Sequence, residues 1–138
     1  MVLAVARRGI DAEDLRHALA ACEFAFEDAQ LVIVAAIAGN RIQRDAIGRG
    51  VPIVGHCLGG QMLARALGAP TTDNPEPEIG WSRVETTADP LAAAWLGQRA
   101  ALPAYQWHFQ TFALPAGATL LARNAACAHQ AFAFGPHL

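Results

Sequence analysis

Val51-Pro52-Ile53-Val54-Gly55-His56-Cys57-Leu58-Gly59-Gly60-Gln61 decides the fold of this chain, because a short β-rich run ends there on a cysteine set among glycines. The residues that follow, Gln61 to Leu67 (QMLARAL), have helical composition with a weak apolar face. Cys57 therefore falls on the turn from a strand into a helix, which is the context a nucleophile elbow requires. Side chains at positions 55 and 59 would collide with the neighbouring strand and helix, which accounts for glycine at both. A thiol at a helix N-terminus also faces the positive end of the helix dipole and several unpaired N–H groups, a setting that favours the reactive thiolate. The alternative, a small buried apolar residue in a glycine-rich turn, suits the other two cysteines better. Cys22 lies in an apolar helical stretch with Leu15, Leu19 and Phe26, and Cys127 follows Asn124-Ala125-Ala126 between two expected strands.

Upstream of the elbow, Asp11 caps an expected helix that runs to about Phe26, with Asp14 three residues on. Leu31 to Ile47 is ambiguous: Leu31-Val32-Ile33-Val34 has strand character, whereas Ile42 to Ile47 favours a helix ended by Gly48 or Gly50. Downstream, Pro70 to Pro77 reads as a loop, Ile79 to Thr86 as a strand and Pro90 to Leu96 as a short helix capped by Asp89. Ala101 to His108 reads as a strand interrupted by Pro103, and Ala118 to Arg123 and Gln130 to Phe134 as a pair of strands. Without a repeat, a low-complexity tract or a linker, residues 1–138 are expected to form one α/β domain.

Composition narrows the function. A formal net charge of −2, with ten scattered basic residues, all arginine, gives no basic patch for nucleic acid. The longest apolar run, Leu31 to Ala38, is too short to cross a bilayer. Met1 to Ala6 precedes Arg7-Arg8, the reverse of a signal peptide's charge order. Three unpatterned cysteines suit a reducing, cytoplasmic setting, and no Cys/His spacing or phosphate-binding glycine loop calls for a metal or another cofactor.

Gly55 to Ala69 resembles the nucleophile segment of class I glutamine amidotransferases, close to the subgroup like the glutaminase domain of GMP synthase. Three later pieces agree in order. Asn74-Pro75 followed by Glu78-Ile79-Gly80-Trp81 resembles the strand after the elbow helix. Trp107-His108 followed by Thr111-Phe112-Ala113-Leu114-Pro115-Ala116-Gly117-Ala118 resembles the segment near the glutamine site. Gln130-Ala131-Phe132 resembles a later core strand. The likeness covers residues 42–138; residues 1–41 read as a divergent or truncated start. What the resemblance implies is a flavodoxin-like, doubly wound sheet, incomplete at both ends, and hydrolysis of the glutamine side-chain amide through a cysteine thioester to deliver ammonia. By position Cys57 takes the nucleophile role, the Leu58 N–H one half of the oxyanion hole, and Gln61, Gly59 and His108 the substrate pocket. Glutamine is then the substrate and an ammonia-accepting synthetase the partner, with no role for nucleic acid, membrane, cofactor or metal.

The chain departs from the family pattern at three places. The His-x-Glu that supplies the base and its orienting acid is absent from residues 1–138, and His137 belongs to the turn before it. The loop that should carry the second oxyanion donor reads Ala35-Ala36-Ile37 instead of Gly-Gly. Phe109 and Gln110 replace the glycine and acid that usually follow the histidine. Two alternatives stay open: a non-catalytic relative acting as a binding module, and a dienelactone-hydrolase-like esterase, whose elbow also reads Gly-x-Cys-x-Gly-Gly. His56 fills the variable slot of the elbow, and His17 and His129 read as surface or core-edge residues.

Overall fold

The computed structural model describes residues 3–6, 32–34, 40–50 and 53–135. Strands β1 (Leu3–Ala6), β2 (Val32–Val34), β3 (Ile53–His56), β4 (Thr71–Thr86), β5 (Ala101–Phe112), β6 (Ala118–Arg123) and β7 (Ala131–Phe134) join in one seven-stranded sheet, ordered β2-β3-β1-β7-β6-β4-β5. Helices α1 (Asn40–Gly48), α2 (Leu58–Ala66) and α3 (Pro90–Leu96) complete the described elements. The sheet is mixed: β2/β3 and β1/β7 pair in parallel, and the remaining neighbours are antiparallel.

Adjacent residues of a strand point to opposite faces, and the two cores follow from that rule. Ile53 and Phe132 join Ala46 of α1 and Leu63 and Ala64 of α2 in one buried cluster. Their chain neighbours Val54, Ala131 and Ala133 join Ala92 and Trp95 of α3, with Val84, Ala104 and Leu121, in a second. Helices on both faces of a mixed sheet make this an α/β fold, as the sequence implies.

Local signals explain most of the elements. The Asp89 carboxylate accepts from Leu91 N at 2.9 Å with Pro90 in the first turn, so α3 has the cap its sequence announces. The ambiguous stretch before the elbow resolves into both readings, a strand at Val32–Val34 and a helix at Asn40–Gly48. That helix closes at Gly50, whose φ of 66° is open to glycine and whose N–H donates to Ile47 O at 3.0 Å.

Two expectations are corrected. Pro70 to Pro77 is not a loop: β4 begins at Thr71, and Pro75 and Pro77 sit where its register with β5 shifts between Asp73 and Glu78. A proline has no N–H for the ladder, so the strand passes it at an irregularity rather than stopping. Pro103 likewise fails to interrupt β5, because β5 is the sheet edge and its bonding partner is β4 alone; the strand continues four residues beyond His108, to Phe112. The expected helix from Asp11 to Phe26, with His17 and Cys22 in it, the Ala35-Ala36-Ile37 segment and His137 lie outside the described residues.

The far end of β5 is anchored by Phe112, which is fully buried and packs edge-on against Phe132 with ring centroids 5.2 Å apart. Phe112→Ala is expected to lower unfolding stability by about 3–5 kcal/mol. Urea denaturation of the two proteins checks this, and a loss below about 1 kcal/mol would show that the end of β5 is not part of the core.

Candidate active site

Strand β3 passes into α2 through Cys57, whose φ of 54° and ψ of −121° make it the one non-glycine residue with positive φ among the described residues. Such a backbone is strained for a residue with a Cβ and persists where its surroundings force it. The force comes from close packing of the strand on the helix. A Cβ at Gly55 would stand 2.5 Å from Gly59 O and 2.8 Å from Gly60 N, distances at which backbone atoms would have to move. The Cys57 carbonyl accepts the Gly60 N–H at 3.0 Å, which starts the helix at once. Cys57 and Leu58 are exposed. Leu58 contributes one of the first N–H groups of α2, which have no partner within the helix.

An open cleft of about 390 Å³ lies over this turn, lined by Cys57, Leu58 and Gln61 from the elbow, Asp73 from β4, and Trp107 to Gln110 from β5. Its size falls within the roughly 300–1,000 Å³ common for small-molecule sites. Four of the five site residues expected from the sequence, Cys57, Leu58, Gln61 and His108, meet there. Gly59 is buried behind the elbow and does not line the cleft. Trp107 and His108 approach Cys57 from the middle of β5 and not from a strand end. Ile79-Gly80-Trp81 does not line the cleft; it lies on the neighbouring strand β4, where Trp81 meets Tyr105 of β5 edge to face at 5.6 Å. Ile79, Trp81, Tyr105, Trp107 and Phe109 form an exposed apolar row on this two-stranded ribbon.

Beneath the cleft runs a buried polar network. Glu78 and His108 are direct cross-strand partners, so their side chains leave the same face of the ribbon. His108 Nε2 lies 3.1 Å from Glu78 Oε2, with both side chains nearly inaccessible, although the contact is off the line of an N–H···O bond. The other ring nitrogen, Nδ1, donates to the Gln110 carbonyl at 3.0 Å and has Asn74 Nδ2 3.4 Å away. Gln61 Nε2 donates to that same carbonyl at 2.7 Å. Glu78 also accepts from Asn124 Nδ2 at 2.5 Å and from Gln130 Nε2 at 2.6 Å. The Gln130 amide is in turn fixed by Gln106 Nε2 at 3.2 Å. At the rim, Gln110 Nε2 donates to Asp73 Oδ1 at 3.0 Å.

From the sequence, Asn74, Glu78, Asn124 and Gln130 are quoted within longer stretches without any of them having a role in the site, and neither Asp73 nor Gln106 is singled out. A signal was present: Gln106 and His108 continue the inward alternation that begins at Ala104, and Glu78 shares the register of Val84. Polar residues at core positions are buried only with partners.

The other titratable groups around the site have local roles. Partial desolvation of the His56 ring, which keeps some contact with solvent, lowers its pKa below the ordinary imidazole value. The ring beside Cys57 is therefore neutral at neutral pH. Cys127 is buried, its Sγ 3.2 Å from Thr111 Oγ1 and 3.4 Å from the His129 carbonyl. His129 Nδ1 donates to Phe112 O at 2.8 Å. Among the described residues, no group of three or more His, Cys, Asp or Glu side chains is placed to hold a metal, and no helix is long and apolar enough to cross a membrane.

Comparison with known proteins gives these features a context. The sequence model of the family described as Glutamine amidotransferase class-I matches residues 34–133. A glutamine amidotransferase-like protein of Salmonella typhimurium, YfeJ, is 32% identical over 84 residues, which are 60% of this chain and 35% of that protein. A solved glutamine amidotransferase from Methylobacillus flagellatus is 36% identical and superposes with a TM-score of 0.72 over 83% of this chain and 52% of its own. A second, from Thermotoga maritima, is 26% identical with a TM-score of 0.65, covering 81% of this chain and 57% of its own. The chain thus spans about half the length of these solved relatives and about a third of YfeJ.

Exposure and position single out Cys57 as the fast thiol. Brief treatment with substoichiometric iodoacetamide, mapped by mass spectrometry, is expected to label Cys57 well ahead of the buried Cys127; equal labelling of the two in the folded protein would overturn this. Gly55→Ala is expected to destabilise the protein by at least about 2 kcal/mol through the clash with Gly59, with thermal unfolding as the measurement.

Proposed function

The chain belongs to the class I glutamine amidotransferase family, and we propose that Cys57 attacks the side-chain amide carbon of glutamine bound in the cleft. The sulfur–carbon bond that forms gives a tetrahedral oxyanion, for which the Leu58 N–H is one donor. Collapse expels the amide nitrogen, which must gain a proton to leave as ammonia, and a γ-glutamyl thioester remains. Water then cleaves the thioester to glutamate and regenerates the thiol. Gln61 and His108 form the substrate-facing wall. The observation that carries this reading is the strained backbone of Cys57 at a strand–helix junction that opens into a cleft. The family match favours it over the dienelactone-hydrolase-like alternative. An ammonia-accepting synthetase as partner and a cytoplasmic location complete the proposal; free thiols at Cys57 and Cys127 support a reducing compartment.

Both proton transfers need an acid/base group. His108 is poorly suited, because one ring nitrogen is committed to the Gln110 carbonyl and the other lies against Glu78. None of the five histidines is followed two residues on by glutamate. That observation favours a second reading, in which residues 1–138 bind glutamine and present the nucleophile without turning over at a useful rate.

A glutaminase assay of the 138-residue chain, beside the same chain extended by a strand and His-x-Glu, tests both. Ammonia release from the shorter protein is expected to be lower by on the order of a thousandfold or more, and Cys57→Ser should abolish release from the extended one. Robust release from the shorter protein that Cys57→Ser abolishes would place a working base within residues 1–138.

A further inference from the structure

We infer that the outward face of the β4–β5 ribbon is a self-association surface, on which a second copy of this chain docks about a two-fold axis that crosses the strands.

The ribbon uses its two faces unequally. From Glu78 opposite His108 to Glu85 opposite Ala101 the two strands pair without interruption, whereas β6 joins β4 only at Glu85 and Thr86. Most of the ribbon thus projects past the sheet as two strands held from one side. On that side lie Glu78, Gln106 and His108, and the contacts to Gln130 and from Gln61 to Gln110 tie the ribbon to the body of the chain. On the other side, strand alternation brings Ile79, Trp81, Tyr105, Trp107 and Phe109 together, each between 49% and 75% exposed. Ile79 stands opposite Trp107 and Trp81 opposite Tyr105, so the apolar row is two strands wide.

Size and charge identify the occupant. With about 150–250 Å² on each aromatic side chain, the row presents on the order of 500 Å² of apolar surface at the exposures above. That matches the apolar share of one side of a standard protein interface, a little over half of about 800 Å². A membrane surface would call for basic residues around the patch. Between Arg65 and Arg83 the chain has none, and Asp73 and Glu76 are exposed at that end of the ribbon.

The opposite end carries Arg83, exposed and two residues beyond Trp81 on the same face, while its neighbour Glu85 has Arg123 of β6 as cross-strand partner. The row is therefore acidic at one end and basic at the other. A two-fold contact requires a surface complementary to itself. An axis across the strands meets that requirement, because it lays the Arg83 end of each copy over the Glu76 end of the other and stacks one apolar row on the other. An axis along the strands would set Arg83 against Arg83. Pairing of two β5 edges would leave the row in water and bring Pro103, which has no N–H, into the new ladder. A net charge of −2 opposes association of two copies only weakly. Trp107 and Phe109 belong to the Cys57 cleft as well as to the row, so each copy stands at the rim of the other's cleft.

Sedimentation velocity of the 138-residue chain in about 50 mM salt, from about 1 to 300 µM, is expected to show a monomer–dimer equilibrium that stops at the dimer. Trp81 is largely exposed and lies outside the cleft, so Trp81→Ser should keep the wild-type far-UV spectrum and, at concentrations where both proteins are monomeric, the wild-type rate of Cys57 labelling by iodoacetamide. Its dimer dissociation constant should rise about thirtyfold or more, the loss of an aromatic anchor. If Trp81→Ser does not fold, Ile79→Ser takes its place, with a rise of about tenfold. A wild-type chain that stays monomeric throughout, growth beyond the dimer, or a variant dimer as tight as the wild type would each overturn the inference.

Charge exchange tests the axis and separates a second copy from any other occupant. Arg83→Glu and Glu76→Arg should each weaken the dimer about tenfold by placing like charges at both ends of the contact. An equimolar mixture of the two variants should associate with close to the wild-type affinity, since every end then faces its opposite. A mixture no tighter than its components would overturn the two-fold arrangement.

Discussion

The approach of Gly55 to Gly59 is the contact on which the rest of the site depends. With no Cβ at position 55, β3 and the first turn of α2 come within 2.5 Å of where that atom would be, and the chain between them has a single residue in which to reverse. Cys57 is forced to positive φ as a result. The reversal lifts the thiol clear of the sheet and points the unpaired amides of α2 at the space above it. A strained nucleophile is tolerable because both flanks are buried: Ile53, Val54, Leu63 and Ala64 are almost inaccessible, so the elbow's geometry is held by two cores on opposite faces of one sheet.

The opposite wall of the cleft is built on different physics. It is the β4–β5 ribbon, in which Glu78 and His108 occupy inward positions that Val84 and Ala104 fill a few residues away. Substituting a charge for a core residue costs several kcal/mol unless it is paired, and here each oxygen of the carboxylate takes an amide donor, Asn124 on one and Gln130 on the other, with the His108 ring beside the second. Removing a single partner would leave an uncompensated group, so the network tolerates change as a unit or not at all. This gives the wall its definition.

The elbow was legible in the sequence because everything that specifies it is local: a β-rich run, glycines at fixed offsets and a helical segment lie within seventeen residues. The same holds for α3, where Asp89 and Pro90 mark the start. Local signals misled at Pro75, Pro77 and Pro103. A proline forbids one ladder hydrogen bond, and it breaks a strand only if that bond is needed. Whether it is needed depends on which strand is the edge and where the register shifts, facts of the whole sheet. The alternation marks Glu78, Gln106 and His108 as inward, but their partners were hidden for a related reason. Glu78 meets Gln130 across 52 positions and Asn124 across 46, contacts that exist once β4, β6 and β7 are in register.

The two walls differ in what they allow to vary. Glycine at position 55 has no chemical alternative, since any side chain there meets the backbone of Gly59 and Gly60. The β5 wall is read through main-chain atoms: the cleft sees the Gln110 carbonyl through Gln61 and His108, while the Gln110 side chain turns out to Asp73 and Phe109 lies exposed. Replacement of the family's glycine and acid at positions 109 and 110 is therefore compatible with an intact wall, because what holds Gln61 there is the carbonyl that every residue carries. The side chains at these positions act at the rim, where Phe109, Trp107 and Leu58 add apolar surface around the mouth of the cleft. Position of the nucleophile, polarity of the wall and character of the rim are thus set by three separate features of the chain: a steric constraint at the elbow, a main-chain carbonyl and the exposed side chains of an edge strand.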